Sequence, residues 1–215
     1  MFRLICRKNK KYIFMLIWLA LFICTAFGVS IVSDNVRRIN TGFKDEYNLL
    51  KDIKYFPVAK STDSDTGYVY YTNSWGDKRT YGGERLHEGI DIMAEENVRG
   101  KYPVVSMTDG TIENIGWLEL GGYRIGIRSR HKGYFYYAHL YSYAEGMEEG
   151  KDVKAGQLIG YMGDSGYGKE EGTVGMFAVH LHLGIYINDE QGNEKSINPY
   201  HYLKSAEKSV IKYKY

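Results

Sequence analysis

Two histidines separated by a single residue, His180 and His182, form the most informative chemical feature of the sequence. Alternate side chains of a β-strand share a face, so the two imidazoles are predicted to project side by side. The intervening and following apolar residues (positions 181, 183, 185 and 187) would form the opposite face and anchor the strand in a core. Gly184 lies on the histidine face and leaves room for a ligand to approach.

A histidine and a carboxylate recur in a second segment, His87-Glu-Gly-Ile-Asp91. Their spacing of four puts His87 and Asp91 on one face of a strand, with Ile90 and Ile92 on the other. Glu88 is predicted to share the apolar side, which makes it a poorer candidate for a ligand. This segment therefore offers one imidazole and one carboxylate to the same site.

The third segment, Tyr136-Tyr-Ala-His139-Leu, contains one histidine in an aromatic strand. Strict alternation would place His139 on the face of Phe135 and Tyr137. Taken alone, such a histidine is typical of an ordinary structural residue that makes a hydrogen bond. His139 becomes a candidate site residue only when the other two segments are considered with it.

Together these residues match the ligands that zinc takes. A catalytic zinc uses three protein ligands of the imidazole or carboxylate type and keeps a fourth position open for water. His87, Asp91 and one histidine of the 180/182 pair would supply that set. The remaining two of His139, His180 and His182 would then handle protons or stabilise developing charge. A structural zinc site is the alternative, but its fourth ligand would leave an imidazole idle.

The segments around these residues predict a mainly β fold. Asp109-Gly110 stands between the apolar runs 104–107 and 111–115 and favours a hairpin there. Further strands are predicted at 123–128, 134–140, 157–162 and 179–188, and a helix only around 199–208. Short strands at this spacing indicate an antiparallel β-sandwich or barrel-like core with glycine-rich hairpins.

Composition narrows the class of protein. Of 215 residues, 44% are hydrophobic and 15% aromatic, which is enough core material to disfavour intrinsic disorder. The net charge of +2 argues against nucleic acid as a partner. The only cysteines, Cys6 and Cys24, precede residue 33, so no disulfide is expected in the remainder.

The N-terminus carries its own signal. Residues 1–11 hold five cationic residues and no acid, and residues 12–32 follow without a charge. A helix of 21 residues would reach about 30 Å, the thickness of a bilayer core, so an uncleaved transmembrane anchor is predicted. A cleaved signal peptide with a site near Gly28-Val-Ser30 is the alternative. The excess of Lys and Arg before the span predicts a cell-membrane location with the N-terminus in the cytoplasm.

These signals divide the chain into five predicted segments. We expect a cytoplasmic tail over 1–11, the anchor over 12–32 and an extracytoplasmic linker over 33–66 that contains a short helix at 48–58. A zinc-binding domain is then predicted over 67–203 and a C-terminal tail over 204–215. The turn-rich run Ser61–Gly67 marks the boundary between linker and domain.

Several motifs in one order resemble the lysostaphin-type (LytM-like) zinc metallopeptidases, which cut peptide bonds in bacterial peptidoglycan. The matching segments are His87-x-Gly-x-Asp91, Tyr137-Ala-His139-Leu and His180-Leu-His182. Asp109-Gly110, Val153-x-x-Gly-Gln-x-Ile-Gly160 and Gly163-x-Ser-Gly166 support them. The resemblance spans residues 85 to 184, which is nearly half of the chain.

The resemblance implies a role for each matched residue. His87, Asp91 and His182 would bind one Zn²⁺ per chain, and His139 and His180 would be the catalytic pair. The substrate would be a peptidoglycan peptide, cut by water that the zinc activates. The aromatic side chains of Tyr137 and Tyr186 are expected to line the groove.

Two departures from the family pattern concern the substrate. The family commonly follows its last His-x-His with an aromatic residue and a glutamate, whereas Leu183 and Gly184 stand here. The segment between Gly166 and His180 is longer than in many relatives and is expected to form a loop that shapes the cleft.

An alternative function is a catalytically silent module of the same fold that binds peptidoglycan or activates another envelope protein.

Overall fold

The computed structural model describes residues 15, 18–19, 22–25, 28–33, 47–63, 68–189 and 191–215. The chain divides into two compact units, 1–47 and 48–215. The described residues between 15 and 33 are helical, yet no helix in the described part of the chain is long and apolar enough to cross a membrane. The predicted tail at 1–11 and much of the predicted anchor at 12–32 lie outside the described residues, so the anchor stays a prediction.

The unit 48–215 is built mainly of strands. Among the described residues, its strands and its C-terminal helix have these bounds: β1 Lys60–Ser61, β2 Val69–Tyr70, β3 Lys78–Arg79, β4 Arg85–Leu86, β5 Ile90–Ala94, β6 Pro103–Val105, β7 Gly110–Leu118, β8 Gly122–Ser129, β9 Tyr134–Tyr143, β10 Asp152–Val153, β11 Leu158–Met162, β12 His180–Asn188, β13 Glu194–Ile197, α1 Tyr200–Ala206 and β14 Lys212–Tyr213.

One large antiparallel sheet organises this unit. Its strands follow the order β10-β7-β8-β9-β12-β5-β2, with β13 beside β12, and with β11 beside both β9 and β6. Two small sheets accompany it: β1 pairs with β14 in parallel, and β3 pairs with β4 antiparallel. The prediction of a mainly β, antiparallel fold is confirmed. Within the described residues, however, no sheet closes into a barrel.

The strand that carries the paired histidines behaves as its alternation predicts. In β12 the side chains of Leu181, Leu183 and Ile185 are fully buried in the core. Ile90 and Ile92 of β5 are buried beside them. The opposite face of the same strands is left for polar groups, because successive side chains of a strand alternate between faces.

The predicted hairpin at Asp109-Gly110 is wrong. β6 pairs with β11, and β7 pairs with β8 and β10, so the two strands never meet. The intervening segment makes long-range contacts instead: the backbone N–H of Met107 donates to the hydroxyl of Tyr137, and its carbonyl accepts from the N–H of Lys54. The chain therefore crosses from one part of the fold to another at this point.

The segment before the sheet is a helix followed by an extended stretch. Residues 47–52 are helical, so the predicted helix at 48–58 is present but shorter. Beyond it, Phe56 and Val58 are buried, and Val58 makes an isolated bridge with Val104. This burial needs extended backbone, which explains the early end of the helix. The predicted helix near residue 200 is confirmed as α1.

Candidate metal centre and active site

The candidate ligands come together through the register of three neighbouring strands. His182 of β12 lies opposite Asp91 of β5 on one side and opposite Ala138 of β9 on the other. His87 stands just before β5, and its side chain is only 2% exposed. His87 and Asp91 therefore lie on one face, as predicted, and both side chains lie beside the histidine face of β12.

Three donor atoms converge at this place. Oδ1 of Asp91 lies 3.0 Å from Nε2 of His87 and 3.1 Å from Nδ1 of His182. The two ring nitrogens are 2.9 Å apart. One atom from each residue lies within 4.8 Å of the others, so the group could hold a metal ion. Two imidazole nitrogens and a carboxylate oxygen are a donor set that fits Zn²⁺.

The outer atoms of these ligands are also held. Nδ1 of His87 lies 2.8 Å from the carbonyl oxygen of Ser74. Nη2 of Arg79 lies 3.0 Å from the same nitrogen, and these contacts hold the ring with Nε2 facing the centre. Nη2 of Arg79 donates to Oδ2 of Asp91 at 2.7 Å, which turns the other carboxylate oxygen inward. Such outer contacts orient metal ligands.

Arg79 is a residue that the sequence analysis did not identify. It lies in the two-residue strand β3, eight positions before His87 and outside the large sheet. Neither periodicity nor motif spacing marks it. Its role is seen only in the structure, where its guanidinium contacts the carboxylate of Asp91.

Gly89 makes the close packing of the centre possible. A Cβ placed at this glycine would lie 2.6 Å from both Cε1 and Nε2 of His182, and 2.6 Å from the carbonyl oxygen of Leu183. Real Cβ atoms do not approach other heavy atoms so closely. The glycine within the His87–Asp91 segment therefore gives the imidazole of His182 its space.

The other two predicted site histidines lie beside this group. The ring centroids of His139 and His180 are 4.7 Å apart, and Nε2 of His180 lies 3.7 Å from Oδ1 of Asp91. Nδ1 of His180 donates to the carbonyl of Ala178, and Nδ1 of His139 donates to that of Ser165, both at 2.7 Å. Each ring thus keeps an unprotonated Nε2 for chemistry.

His139 reaches the site by a route that strict alternation did not predict. Between β8 and β9, the pairs Tyr123–Leu140 and Ile125–Tyr137 enclose one extra residue on β9, which defines a β-bulge. His139 has φ +61°, a left-handed conformation that is uncommon for residues other than glycine. The expectation that His139 shares a face with Phe135 and Tyr137 is therefore wrong, because the bulge turns its ring into the groove.

Burial sets the protonation of the site. It lowers the pKa of His139 well below the ordinary histidine value, and the nearby His180 and His182 lower it further. Burial likewise lowers the pKa of His180 and of His182. Burial alone would raise the pKa of Asp91, but hydrogen bonds from His182 and His87 outweigh it and the pKa falls below its usual range. An anionic carboxylate thus faces neutral imidazoles.

The site opens into a groove with a volume of about 800 Å³. Tyr136 and Tyr186 line it, and the ring of Tyr136 lies 6.0 Å from that of His182. The predicted role of Tyr186 in lining the groove agrees with this. Tyr137, in contrast, is fully buried in the core, so its predicted place in the groove is wrong.

The segment between Gly166 and His180 does border the cleft. The rings of Tyr167 and Phe177 lie 5.9 and 4.6 Å from that of His139. The buried carboxylate of Asp164 holds this segment, since it pairs with Arg99 and accepts from the N–H of Gly175.

Other residues take places away from the centre. Glu88 is exposed and lines the groove, since regular strand geometry begins only at Ile90; its predicted place on the apolar side is wrong. His131 pairs with the buried Asp52, and His201 lies exposed on α1. Neither belongs to the site.

Comparison with known proteins gives a consistent family. The model of peptidase family M23 matches residues 85–199. The L-Ala--D-Glu endopeptidase of Bacillus subtilis (strain 168) is 43% identical over 153 residues, which cover 71% of this chain and 44% of that protein. Lysostaphin of Staphylococcus simulans is 32% identical over 125 residues, covering 56% of this chain and 22% of lysostaphin.

A solved structure also resembles this chain. A candidate glycyl-glycine endopeptidase LytM from Ruminococcus gnavus ATCC 29149 shares 54% identity with a TM-score of 0.70, over 77% of this chain and 64% of that one. The chain thus spans less than half the length of the curated relatives it matches. The family match covers more than half of the chain and contains His87, Asp91, His139, His180 and His182, so the chain belongs to peptidase family M23.

Proposed function

We propose that the chain is a zinc-dependent endopeptidase that hydrolyses peptide bonds in peptidoglycan. The observation that carries this proposal is the convergence of His87, Asp91 and His182 on one point, with His139 and His180 directly beside them. A silent binding module would not need two further imidazoles with free Nε2 atoms next to a metal-binding group. The names of the similar proteins support peptidoglycan as the substrate.

Each residue has a role in this proposal. His87, Asp91 and His182 would hold the Zn²⁺, which when bound supplies the Lewis acidity for activating water and polarising a carbonyl. His139 and His180 are neutral at pH 7 because their pKa values are lowered by burial. Nε2 of either ring can therefore take a proton from the attacking water, and the protonated ring can then stabilise the developing oxyanion or pass that proton to the leaving amine.

The aromatic residues around the pair contribute by excluding water. Tyr167 and Phe177 pack against His139 on one side of the cleft. A drier site strengthens the electrostatic interactions that stabilise the transition state.

The test uses the full chain, purified with and without a chelator and supplied with defined peptidoglycan. We expect the chelator to abolish cleavage and added zinc to restore it. His182→Ala should lose the metal, whereas His139→Asn should keep it and lose turnover by roughly 10²- to 10⁴-fold. Asparagine suits the left-handed backbone at position 139. Stoichiometric zinc without cleavage of any cross-link type would favour the silent module instead.

We also propose that residues 12–32 anchor the chain in the bacterial cell membrane, with the peptidase unit on the outer side. The uncharged run and the five cations before it support this. The chain should stay in the membrane fraction during alkaline carbonate extraction, and external protease should digest the unit in spheroplasts. Release by carbonate, or a truncated N-terminus near residue 30, would overturn the anchor.

A further inference from the structure

Arg124 of β8 is a cation in the groove that has no counter-ion. Its side chain lines the groove together with the site histidines. Its Nη1 atom is buried and has no hydrogen-bond partner among the residues that the structure describes. Nor does Arg124 form an ion pair with any described residue. Buried donors are nearly always satisfied, so an unsatisfied guanidinium nitrogen at the edge of a binding groove indicates a partner that comes from outside.

The nearby carboxylates are already engaged elsewhere. Arg128, four positions further along the same face of β8, forms a bidentate pair with Glu113 and a second ion pair with Glu194. Glu88, also in the groove, accepts a hydrogen bond from the hydroxyl of Tyr186. Arg85, which also lines the groove, donates to the carbonyl of Tyr81 and to the hydroxyl of Tyr167, whereas Arg124 keeps a buried guanidinium nitrogen without a partner among the described residues.

The sheet places Arg124 at a useful distance from the chemistry. β9 separates β8 from β12, and neighbouring strands lie about 4.8 Å apart, so Arg124 stands roughly 10 Å from His182 across the sheet. Ala138 of β9 lies opposite His182, and the ring of Tyr136 lies 6.0 Å from that of His182 on the same side of the sheet. Since an extended peptide spans about 3.5 Å per residue, the guanidinium can reach a group one or two residues from the scissile bond.

The surroundings of Arg124 strengthen its selectivity. Leu118 and Leu120 line the same part of the groove, and Tyr134 and Tyr136 lie beside them as neutral phenols. Burial raises the pKa of Tyr136 to about 12, so this phenol stays neutral near pH 7. A carboxylate that enters such a site meets a desolvated cation, for which a charge-assisted, bidentate contact is strong.

We propose that Arg124 is a specificity-determining residue that binds a free carboxylate of the substrate close to the scissile bond. This inference rests on the proposed function and names its substrate class: stem peptides that contain a γ-linked glutamate, whose α-carboxylate is free. A glycine bridge has no side-chain carboxylate, and amidation of the glutamate removes the charge. Both are therefore poorer ligands for this groove.

The test compares two synthetic peptides, L-Ala-γ-D-Glu-L-Lys and the same peptide with the α-carboxylate converted to the carboxamide. Binding to the full chain is measured by calorimetry with and without zinc, and cleavage is measured separately. We expect the acid to bind about 10- to 100-fold more tightly than the amide. Arg124→Gln should abolish this difference by weakening the acid alone. Arg128→Gln, which removes a guanidinium already paired on the same strand, should preserve it.

The outcomes separate this inference from the proposed function. Equal binding of the two peptides to the unmodified chain would overturn the role of Arg124 without involving any variant. An equal loss for both peptides in Arg124→Gln, or no binding of either at millimolar concentration, would do the same. Preference for the acid, with no cleavage of either peptide or of defined peptidoglycan, would leave Arg124 as a carboxylate site and would overturn the endopeptidase proposal.

Discussion

Asp91 and His182 face each other directly across β5 and β12, with Oδ1 of the carboxylate 3.1 Å from Nδ1 of the imidazole. The pair is fixed by strand register rather than by a loop. A slip of one residue would move every side chain of β12 to the other face, exposing Leu181 and Leu183 while burying both histidines. Burial of the apolar face of β12 therefore also fixes the positions of the candidate ligands on its other face.

Gly89→Ala should damage the metal site without a charge being changed. The new Cβ would lie 2.6 Å from the ring of His182 and from the backbone oxygen of Leu183, so the imidazole must move. We expect zinc affinity to fall by at least tenfold, measured by competition with a chromogenic chelator. Gly184→Ala is the matched control, because its Cβ meets chiefly the movable ring of Tyr186. Equal zinc affinity of Gly89→Ala and the unmodified chain would contradict the packing argument.

Arg79→Met should weaken zinc binding although Arg79 contributes no ligand atom. The substitution removes the hydrogen bond to Oδ2 of Asp91, leaving the carboxylate free to rotate. Outer contacts of this kind are typically worth 10- to 100-fold in metal affinity or activity. The neighbouring exposed Lys78→Gln serves as the control for a lost positive charge. Tighter zinc binding in Arg79→Met would mean that repulsion between guanidinium and metal outweighs the orientation of the ligand.

Tyr137→Phe should reduce stability and leave the chemistry unchanged. The hydroxyl of Tyr137 accepts from the backbone N–H of Met107 in the core. Its loss leaves that buried donor unsatisfied, at a cost of about 1–3 kcal/mol in the free energy of unfolding. Urea denaturation and zinc content would be compared with Tyr136→Phe, which alters the groove instead. A selective loss of turnover in Tyr137→Phe would contradict the placement of this side chain in the core.

The buried His139 should make the metal-free chain less stable in mild acid. Its pKa is lowered in the folded state by burial and by His180 and His182, whereas in the unfolded chain it is about 6.5. Below pH 6.5 the unfolded chain therefore binds a proton that the folded chain does not, and the free energy of unfolding falls as the pH falls.

His139→Asn removes this contribution, so its urea midpoint in chelator should fall less between pH 7.5 and 5.5. The remaining decrease reflects the other buried histidines, since the pKa values of His180 and His182 are lowered as well. Parallel pH dependence of the two chains would show that His139 titrates normally in the fold.

Sequence periodicity was sufficient to predict those parts of the site that lie in regular strands. The two faces of β12 follow from alternation, because Leu181 and Leu183 need the core and the intervening residues cannot share it. The meeting of His87, Asp91 and His182 was predicted from motif order, and the structure brings the three together. Their function as ligands stays a prediction.

The features that the sequence did not predict are fixed by contacts between distant parts of the chain. The left-handed turn at His139 is stabilised by neighbours, since its N–H donates to the carbonyl of Gly121 and its ring donates to that of Ser165. Asp109-Gly110 did not form a hairpin because the carboxylate of Asp109 pairs with Lys54 and accepts from the N–H of Ala155. No local pattern encodes such partners.

The parallel pairing of β1 with β14 has a consequence for proteolysis. Lys60 and Ser61 lie beside Lys212 and Tyr213, and the hydroxyl of Tyr215 donates to the carbonyl of Ala59. Chain ends are ordinarily where a domain frays and where exopeptidases and endopeptidases start. In this unit β1 and β14 pair with each other, so local opening of either strand must also break the hydrogen bonds of the other. Both strands are therefore expected to resist proteolysis better than an unpaired extended segment would, and limited proteolysis measures this.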